Sequence, residues 1–498
     1  MIPANSNVLR TGIFRNTSSN NLLPASGRTG QRSPSSSSLP KETHMNTLES
    51  LARFVSRLRY EDITPAAVHQ VKLSLADATG CMIYGSKSEH ARNVKRSFHI
   101  FASPAGSRVF FENWRAPAPF AALINGAMIS SMAYDDLHHG ATVHCGCIAV
   151  PAALAALDLQ NETVSGKDFV TALTAAYETM IRVAYSIMPE VRIRGYHPAS
   201  VAAPFCSSAA VSKILKLDEE KTLHAIGIAG GLGSGLMSAQ LSSDIHGMQA
   251  PYAGIHGIHG AIMSKNGVHG VRELLDDTYG SFLNTISGKH DDSWLKSVGD
   301  GNFECQGLGI KYYPTAGSVS SALDGVSAIL EENNLSSEDI EEITVRVNKS
   351  VFLHCGFDYI PGPVSGAQMN IAYCVAALLV CHEVSAAQFE PDVILNPEVA
   401  KKMALVHVVH DDSMDNMGKD FGYYAKIEAK AKGETFRKEI IHPKGSAQNP
   451  LSQQEVKQKF LTQCKGVIAD RSLVDNIFES IMDIENIKDV RTVFDLIK

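Results

Sequence analysis

The densest group of reactive side chains in this sequence lies in residues 133–147, which read "AYDDLHHGATVHCGC". Two carboxylates, three imidazoles and two thiols fall within this stretch: Asp135, Asp136, His138, His139, His144, Cys145 and Cys147. The apolar run "IAVPAALAAL" follows directly and predicts a buried helix that begins at this point. Because imidazole gains and loses protons near neutral pH, the composition indicates general acid–base chemistry at the start of that helix.

A metal site is one interpretation of these histidines and aspartates, since both residue types bind zinc. A helical zinc site usually carries two histidines four residues apart, however, and no HxxxH or CxxC pair occurs in the sequence. A carboxylate at the start of a helix more often caps backbone amides or orients a neighbouring imidazole. We therefore predict no metal ion, and we expect at least one of Asp135 and Asp136 to support a histidine.

Two further histidine groups follow along the chain. In "IRGYHPASV", residues 193–201, His197 lies close to arginines and precedes Pro198, a residue favoured in the first turn of a helix. A helix start with arginines nearby suits an anionic ligand. The segment "SDIHGMQAPYAGIHGIHG", residues 243–260, carries three more histidines among glycines, beginning with His246. Together the three groups predict an imidazole-based acid–base site for an anionic small molecule.

The surrounding sequence predicts two kinds of architecture. Apolar residues recur at helical spacing from Leu48, and segments rich in Ala, Gly and Ser continue to about residue 306, which predicts a tightly packed helical body. After about residue 307 the pattern alternates as in strands. The predicted segments are strands at 343–348 and 404–410, a helix at about 367–382 and a hairpin at 423–440 that turns at Gly433. Ser452 and Glu455 then form a capping box, which predicts a return to helix.

These patterns predict a mainly α fold, with a large all-helical domain and a smaller inserted α+β lid domain. The helical domain is expected at residues 46–306 together with 446–498, and the lid domain at 307–445. Residues 1–45 are rich in Ser, Asn and Pro and carry arginines, with no acidic residue before Glu42. This composition is typical of a mitochondrial transit segment, and equally of a disordered tail, in which case we expect a cytoplasmic protein.

The composition excludes several classes of protein. A net charge of −7 on 498 residues gives no general attraction to nucleic acid or to an anionic membrane, so we expect neither as a partner. The longest apolar run, residues 371–381, is well below the roughly 18 residues of a membrane span. Nine scattered cysteines indicate neither a disulfide framework nor a structural zinc module.

Five segments, in this order along the chain, resemble the MmgE/PrpD family, and within it they are most similar to the fungal decarboxylases that act on cis-aconitate. They are "LADATGCMIYG" (75–85), "YDDLHHGATVHCGCIAVPA" (134–152), "GYHPASV" (195–201), "LMSAQ" (236–240) and "HCGFDYIPGPVSGAQMNIAY" (354–373). The resemblance covers nearly everything after residue 45. It implies the two-domain architecture, a homodimer and an enzyme that needs no cofactor.

The activity that the resemblance implies is that of a lyase on citrate-derived tricarboxylic acids. The first hypothesis is decarboxylation of cis-aconitate, or a close homologue, to itaconate. The second is dehydration of 2-methylcitrate or another alkylcitrate. The third is a binding protein of the same fold without catalytic activity, because folds host many functions.

The resemblance also implies which residues form the site. His144 and His197 match two histidines of the family, whereas His246 and Gln249 stand where many relatives carry a lysine and a histidine. We predict His144 as the proton donor, with His197 and His246 on the substrate carboxylates. Further substrate contacts are predicted at Asp136, His138, Arg194, Tyr196, Gln249 and His354. If His246 replaces a lysine, substrate binding is expected to weaken as the pH rises from about 6 to 8, because a neutral imidazole loses its charge.

Overall fold

Helices form most of the described chain. The computed structural model describes residues 45–239, 243–418 and 421–497, so the expected transit segment at 1–45 lies outside it apart from Met45. The helices are α1 (Thr47–Arg57), α2 (Pro65–Gly85), α3 (Glu89–Phe98), α4 (Ala118–Ser130), α5 (Gly146–Leu157), α6 (Gly166–Ile187), α7 (Glu190–Ile193), α8 (Pro198–Ile214), α9 (Glu219–Ala229), α10 (Gln249–Lys265), α11 (Phe282–Ile286), α12 (Ser293–Lys296), α13 (Gly317–Glu332), α14 (Lys349–Cys355), α15 (Val364–Gln368), α16 (Ile371–Cys381), α17 (Pro391–Ile394), α18 (Pro397–Met403), α19 (Gln453–Cys464), α20 (Arg471–Met482) and α21 (Arg491–Phe494).

The helices of the first part of the chain pack closely because their contact faces carry small residues. A Cβ added to Gly257 of α10 would lie 2.4 Å from the carbonyl oxygen of Pro204 in α8. A Cβ added to Gly260 would lie 2.4 Å from the carbonyl oxygen of Ala225 in α9. Neither backbone can yield by that much, so these glycines set how closely α10 approaches its neighbours.

The strands of the described residues form three small sheets, of which one has four strands. They are β1 (Ser107–Arg108), β2 (Arg115–Ala116), β3 (Leu137–His138), β4 (Leu308–Gly309), β5 (Ile340–Val347), β6 (Val406–His410), β7 (Ala425–Ala431) and β8 (Glu434–Ile440). The largest sheet has the order β6-β5-β7-β8, with β5 and β6 parallel and the other pairs antiparallel. The predicted hairpin turns at Lys432 and Gly433, whose φ angles of 52° and 75° are those of a two-residue type I′ turn.

One predicted helix is wrong in its extent. The segment expected as a single helix at about 367–382 forms α15 and α16, separated by Met369 and Asn370. The Asn370 side chain accepts a hydrogen bond of 2.8 Å from the backbone N–H of Tyr373 and donates one of 2.7 Å to the carbonyl of Phe357. Asparagine is favoured at this capping position, and α16 therefore starts there rather than continuing α15.

Two large hydrophobic cores divide the described chain. The first extends from Leu48 to Ile310 and takes in α19, α20 and the residues up to Ile497. The second contains Leu137 and the buried residues from Tyr313 to Ala431, around the four-stranded sheet with α13 and α16. The chain therefore passes between the cores near residues 310–313, and the loop that carries Leu137 reaches from the first core into the second.

The predicted fold class, mainly helical with a small sheet region, is confirmed. The domain boundaries at 306–307 and 445–446 stay a prediction. Among the described residues, none of the helices combines the length and the hydropathy that crossing a bilayer requires.

Candidate active site

A cavity between the two cores brings four of the predicted histidines together. His144, His197, His246 and His354 line it, although they come from segments up to about two hundred residues apart in the sequence. The other lining residues are Ser130, Ala133, Asp135, Leu137, Thr142, Cys147, Arg192, Pro198, Met237, Gly247, Ala250, Pro251, Lys311, Ala316, Gly317, Met369 and Tyr423. The cavity therefore combines imidazoles, one carboxylate, a guanidinium and an ammonium group.

His144 is held by the loop that precedes α5. Its Nδ1 lies 2.7 Å from the carbonyl oxygen of Asp136. Because a carbonyl only accepts hydrogen bonds, Nδ1 carries the hydrogen and Nε2 is left for a ligand. The Asp135 carboxylate lies 3.7 Å from the same Nδ1, where its charge favours a protonated ring.

Asp136 supports the helix rather than the cavity. Its carboxylate accepts hydrogen bonds of 2.9 and 3.2 Å from the backbone N–H of Gly146, the first residue of α5. Burial raises the pKa of this carboxyl well above its usual range. The predicted substrate contact at Asp136 is not supported, because a carboxylate at a helix start satisfies an amide that has no partner within the helix.

His197 and His246 face each other across the cavity. Their ring centroids lie 5.7 Å apart in an edge-to-face arrangement. His197 immediately precedes α8, and its Nδ1 lies 2.7 Å from the Ser200 hydroxyl. The Nδ1 of His246 is buried and has no hydrogen-bond partner among the described residues. Since buried polar groups are almost always paired, this nitrogen is suited to a ligand.

His354 lies at the end of α14 and contacts Arg192. The guanidinium of Arg192 donates a hydrogen bond of 2.8 Å to Nδ1 of His354, and the Ser318 hydroxyl lies 3.1 Å from the same nitrogen. Because guanidinium only donates, Nδ1 is the accepting nitrogen and Nε2 carries the hydrogen. Arg192 remains charged at any ordinary pH and brings a permanent positive charge to the cavity.

Lys311 is a cavity residue that sequence reasoning missed. It lies just after β4, is 5% exposed, and its ammonium group donates a hydrogen bond of 2.7 Å to the carbonyl of Ala133. Burial lowers its pKa, and Asp135 opposes this effect. A lysine inside the apolar stretch "GLGIKYYP" was the available signal. The sequence lacks the family's lysine after "LMSAQ", yet a lysine from another segment reaches the cavity.

The four cavity histidines are partly buried, and this lowers their pKa values when no ligand is present. Burial lowers the pKa of His246 to about 4, with His144 and Lys311 adding to the effect. Burial also lowers the pKa of His144, and lowers those of His197 and His354 well below the usual range. The imidazole of His246 is therefore neutral between pH 6 and 8 in the empty cavity, and the expected weakening of substrate binding over that range stays a prediction.

Four of the predicted substrate contacts lie elsewhere. Arg194 donates hydrogen bonds of 2.6 and 3.3 Å to the carbonyls of Ile286 and Thr285. The Gln249 amide accepts from the backbone N–H of Leu236 at 3.1 Å and donates to the carbonyl of the same residue at 3.3 Å. Tyr196 pairs with Leu236 through its backbone. His138 packs edge-on against Tyr185 and accepts a hydrogen bond from the Ala141 amide. The side chains of Arg194, Gln249 and His138 thus bind backbone groups, and none of the four residues lines this cavity.

A second cavity lies on the other side of the 137–144 loop. Its lining residues are His138, His139, Gly140, Tyr185, Phe303, Glu304, Gly307, Gly422, Tyr423, Ile441, His442, Pro443, Ser446, Ala447 and Gln448. No arginine or lysine is among these described residues. An anionic substrate needs positive charge, so the cavity with Arg192 and Lys311 is the candidate active site.

The described residues contain one group with the spacing of metal ligands, and it lies outside both cavities. It consists of His410 at the end of β6 with Asp412 and Asp415, and it is on the surface. His410 contacts Asp412 at 3.3 Å and Asp415 at 2.9 Å through its two nitrogens. Both nitrogens are thus engaged by carboxylates, and the group carries no argument for a metal ion in the reaction.

Comparison with known proteins identifies the family. Sequence models of the MmgE/PrpD N-terminal and C-terminal domains match residues 49–295 and 313–484. A protein from Aspergillus oryzae named cis-aconitate decarboxylase-like protein oryM is 27% identical over 473 residues, which covers 91% of this chain and 97% of that protein. Proteins named cis-aconitate decarboxylase from Aspergillus terreus and Homo sapiens are 24% and 25% identical, covering 90% of this chain and 95% and 94% of their own lengths. The chain, whose sequence motifs and histidine-lined cavity agree with this match, belongs to the MmgE/PrpD family.

Proposed function

We propose that this protein is a lyase that works without a cofactor and decarboxylates cis-aconitate, or a close homologue, to itaconate. One observation carries the proposal: one cavity holds Arg192 and the buried Lys311 together with four imidazoles. The two cationic groups suit a ligand with several carboxylates, and the imidazoles suit proton transfer. The names of relatives with similar length support the same reaction.

The reaction needs one proton and stabilisation of one negative charge. The bond from the methylene carbon to its carboxylate breaks and releases CO₂, and its electron pair forms the new terminal double bond. The electron pair of the old double bond moves to the carbon next to the far carboxylate, which spreads the charge. One proton is then added to that carbon. The site must hold the remaining carboxylates, stabilise the developing charge and deliver the proton.

The cavity residues divide these tasks by their chemistry. Arg192 and Lys311 bind carboxylates as charge-assisted donors. His144 delivers the proton from Nε2, since Nδ1 is fixed by the carbonyl of Asp136. Asp135, 3.7 Å from Nδ1, stabilises the imidazolium form of His144 before the transfer. Because the ring is neutral in the empty cavity, binding of a trianion must be accompanied by proton uptake.

Product analysis in D₂O tests the proposal. The purified protein is incubated separately with cis-aconitate and with 2-methylcitrate, and the products are followed by NMR together with CO₂ release. We expect CO₂ and itaconate from cis-aconitate, with one deuterium in the methylene group of itaconate that lies beside its carboxylate. An unsaturated acid from 2-methylcitrate without CO₂ would replace the proposal by dehydration. Binding of both acids without turnover would replace it by a silent binding protein.

We also propose a mitochondrial location, supported by the arginine-containing, acid-poor composition of residues 1–44. A fusion of these residues to a fluorescent reporter is expected to enter mitochondria, and cytosolic fluorescence contradicts the proposal. The homodimer that the family resemblance implies is a proposal of the same kind. Light scattering after size-exclusion chromatography is expected to give twice the mass of one chain.

A further inference from the structure

A buried ion pair lies directly behind the candidate active site. Lys459 of α19 is 8% exposed and Asp77 of α2 is 1% exposed. The ammonium nitrogen of Lys459 lies 2.6 Å from an oxygen of the Asp77 carboxylate. Burial lowers the pKa of Lys459, but Asp77 outweighs it and the resulting pKa lies above the usual range. Lys459 is therefore charged at every working pH.

Lys459 also binds the backbone of two segments that carry charged cavity residues, those of Asp135 and Lys311. Its ammonium group donates a hydrogen bond of 2.8 Å to the carbonyl of Tyr134 and one of 3.0 Å to the carbonyl of Lys311. The nitrogen lies 3.8 Å from the centre of the Tyr134 ring. The ammonium group therefore donates hydrogen bonds to two carbonyls and forms an ion pair with the Asp77 carboxylate.

These two contacts add to the β3–β4 pairing and to the hydrogen bond of 3.2 Å from the Tyr134 hydroxyl to the carbonyl of Tyr312, which already join the two segments. Tyr134 immediately precedes Asp135, which lies near His144, and Lys311 supplies the cavity ammonium group. Lys311 returns a hydrogen bond to Ala133, so the two segments and Lys459 form a closed set of contacts. The spacing between the carboxylate and the ammonium group in the cavity thus depends on a residue that does not line it.

We propose that Lys459 is a positioning residue, which holds the backbone at Tyr134 and at Lys311 so that Asp135, His144 and the Lys311 ammonium group keep their productive spacing. The inference rests on the proposed function for its activity readout. A displacement of about 1 Å among reacting groups can cost about a hundredfold in rate, so loss of this contact is expected to act on turnover.

Three variants separate positioning from the stability that any buried ion pair influences. Lys459→Met removes the donors and leaves the buried Asp77 carboxyl, whose pKa burial raises, without its cationic partner. Asp77→Asn keeps an acceptor for Lys459 and leaves both carbonyl contacts in place. The double variant Lys459→Met/Asp77→Leu replaces the pair by apolar side chains, which is often neutral or stabilising for a buried pair. The measurements are kcat, KM, the melting temperature and hydrogen exchange of backbone amides.

We expect Lys459→Met to lower kcat by about a hundredfold with KM changed less than about tenfold, and Asp77→Asn to lower kcat by less than about tenfold. The double variant should regain the melting temperature but not kcat. Amides at 134–144 and 308–312 should exchange faster in both variants that lack Lys459. Recovery of kcat together with the melting temperature would show a purely structural role and overturn the proposal.

Lys72→Met is the matched control. Lys72 lies on α2, the helix that carries Asp77, and it is 8% exposed like Lys459. Its ammonium group binds the Glu485 carboxylate at 2.8 and 2.9 Å without contacting the cavity segments. It should lower the melting temperature and leave kcat and exchange at 134–144 unchanged. If the wild-type protein turns over neither acid, the proposed function fails, whereas the exchange measurement still decides the role of Lys459. Unchanged hydrogen exchange of the amides at 134–144 and 308–312 in Lys459→Met overturns the proposed positioning role of Lys459.

Discussion

The two cavities on either side of the 137–144 loop have similar histidine content but different charge. His144 faces the cavity that holds Arg192 and Lys311, while His138 and His139 face the one whose described lining has no arginine or lysine. Tyr423 lines both. The comparison teaches that clustered histidines alone do not identify a site for an anion. The positively charged side chains of Arg192 and Lys311, which lie in only one of the two cavities, identify that cavity as the candidate site for an anion.

The largest expected effect comes from replacing one histidine in each of the two cavities, in separate variants. His144→Asn is expected to lower kcat/KM by at least about a hundredfold, since it removes the proton donor. His138→Asn is the matched control, and it should change kcat/KM by less than about threefold if the second cavity takes no part in catalysis. Steady-state kinetics with cis-aconitate, at equal folded fraction by circular dichroism, measures both. A similar loss of kcat/KM in the two variants would contradict the assignment of catalysis to the cavity that contains His144.

A smaller effect is expected from the arginines of the 190–195 segment. Arg192→Met removes a charge-assisted contact to a carboxylate and should raise KM by about ten- to a hundredfold. Arg194→Met loses only hydrogen bonds to the carbonyls of Thr285 and Ile286, so KM should remain within about twofold. The KM values of the two variants are measured at the same ionic strength. An equal rise of KM in both would mean that the substrate lies closer to Arg194 than the cavity lining indicates.

Proton uptake tests the neutral state of the cavity histidines. The His246 pKa of about 4 in the empty site rises when an anion binds, so protons are taken up near neutral pH and affinity increases as the pH falls toward 4. Isothermal titration of tricarballylate, an unreactive tricarboxylate, in buffers of different ionisation enthalpy should give a positive number of protons at pH 7. His246→Gln should reduce that number. Zero uptake in the wild-type protein would mean that the imidazoles already carry their charge.

The smallest expected effect is that of chelation. Treatment with EDTA should leave kcat and KM unchanged, because the metal-like group at His410, Asp412 and Asp415 lies on the surface outside both cavities. The assay follows CO₂ release before and after dialysis against the chelator. Loss of activity that zinc restores would favour a metal-dependent reaction and would require a different reading of the histidine-rich cavity.

Much of the fold was predictable because its determinants are local. The strand periodicity of residues 425–440 and the turn at Gly433 depend on neighbouring residues, and both agree with β7 and β8. The helix expected at 367–382 was wrong because hydrophobic periodicity does not show that Asn370 caps a new helix. Of the nine predicted site residues, the four that line the cavity are histidines from the chemically dense motifs.

What the sequence alone determined is therefore the division into a helical part and a part with strands, the family, and the histidines of the site. Only the tertiary structure decided which charged side chains lie beside the cavity histidines. Arg192 lies in the short helix α7 and Arg194 directly follows it, and their guanidinium groups point toward His354 and toward Ile286. Lys311 reaches the cavity through a contact to Ala133, 178 residues away in sequence, and Lys459 contacts Tyr134 across 325 residues. Periodicity and capping act within a few residues, whereas a cavity is built by side chains whose separation is set only when the two cores pack together.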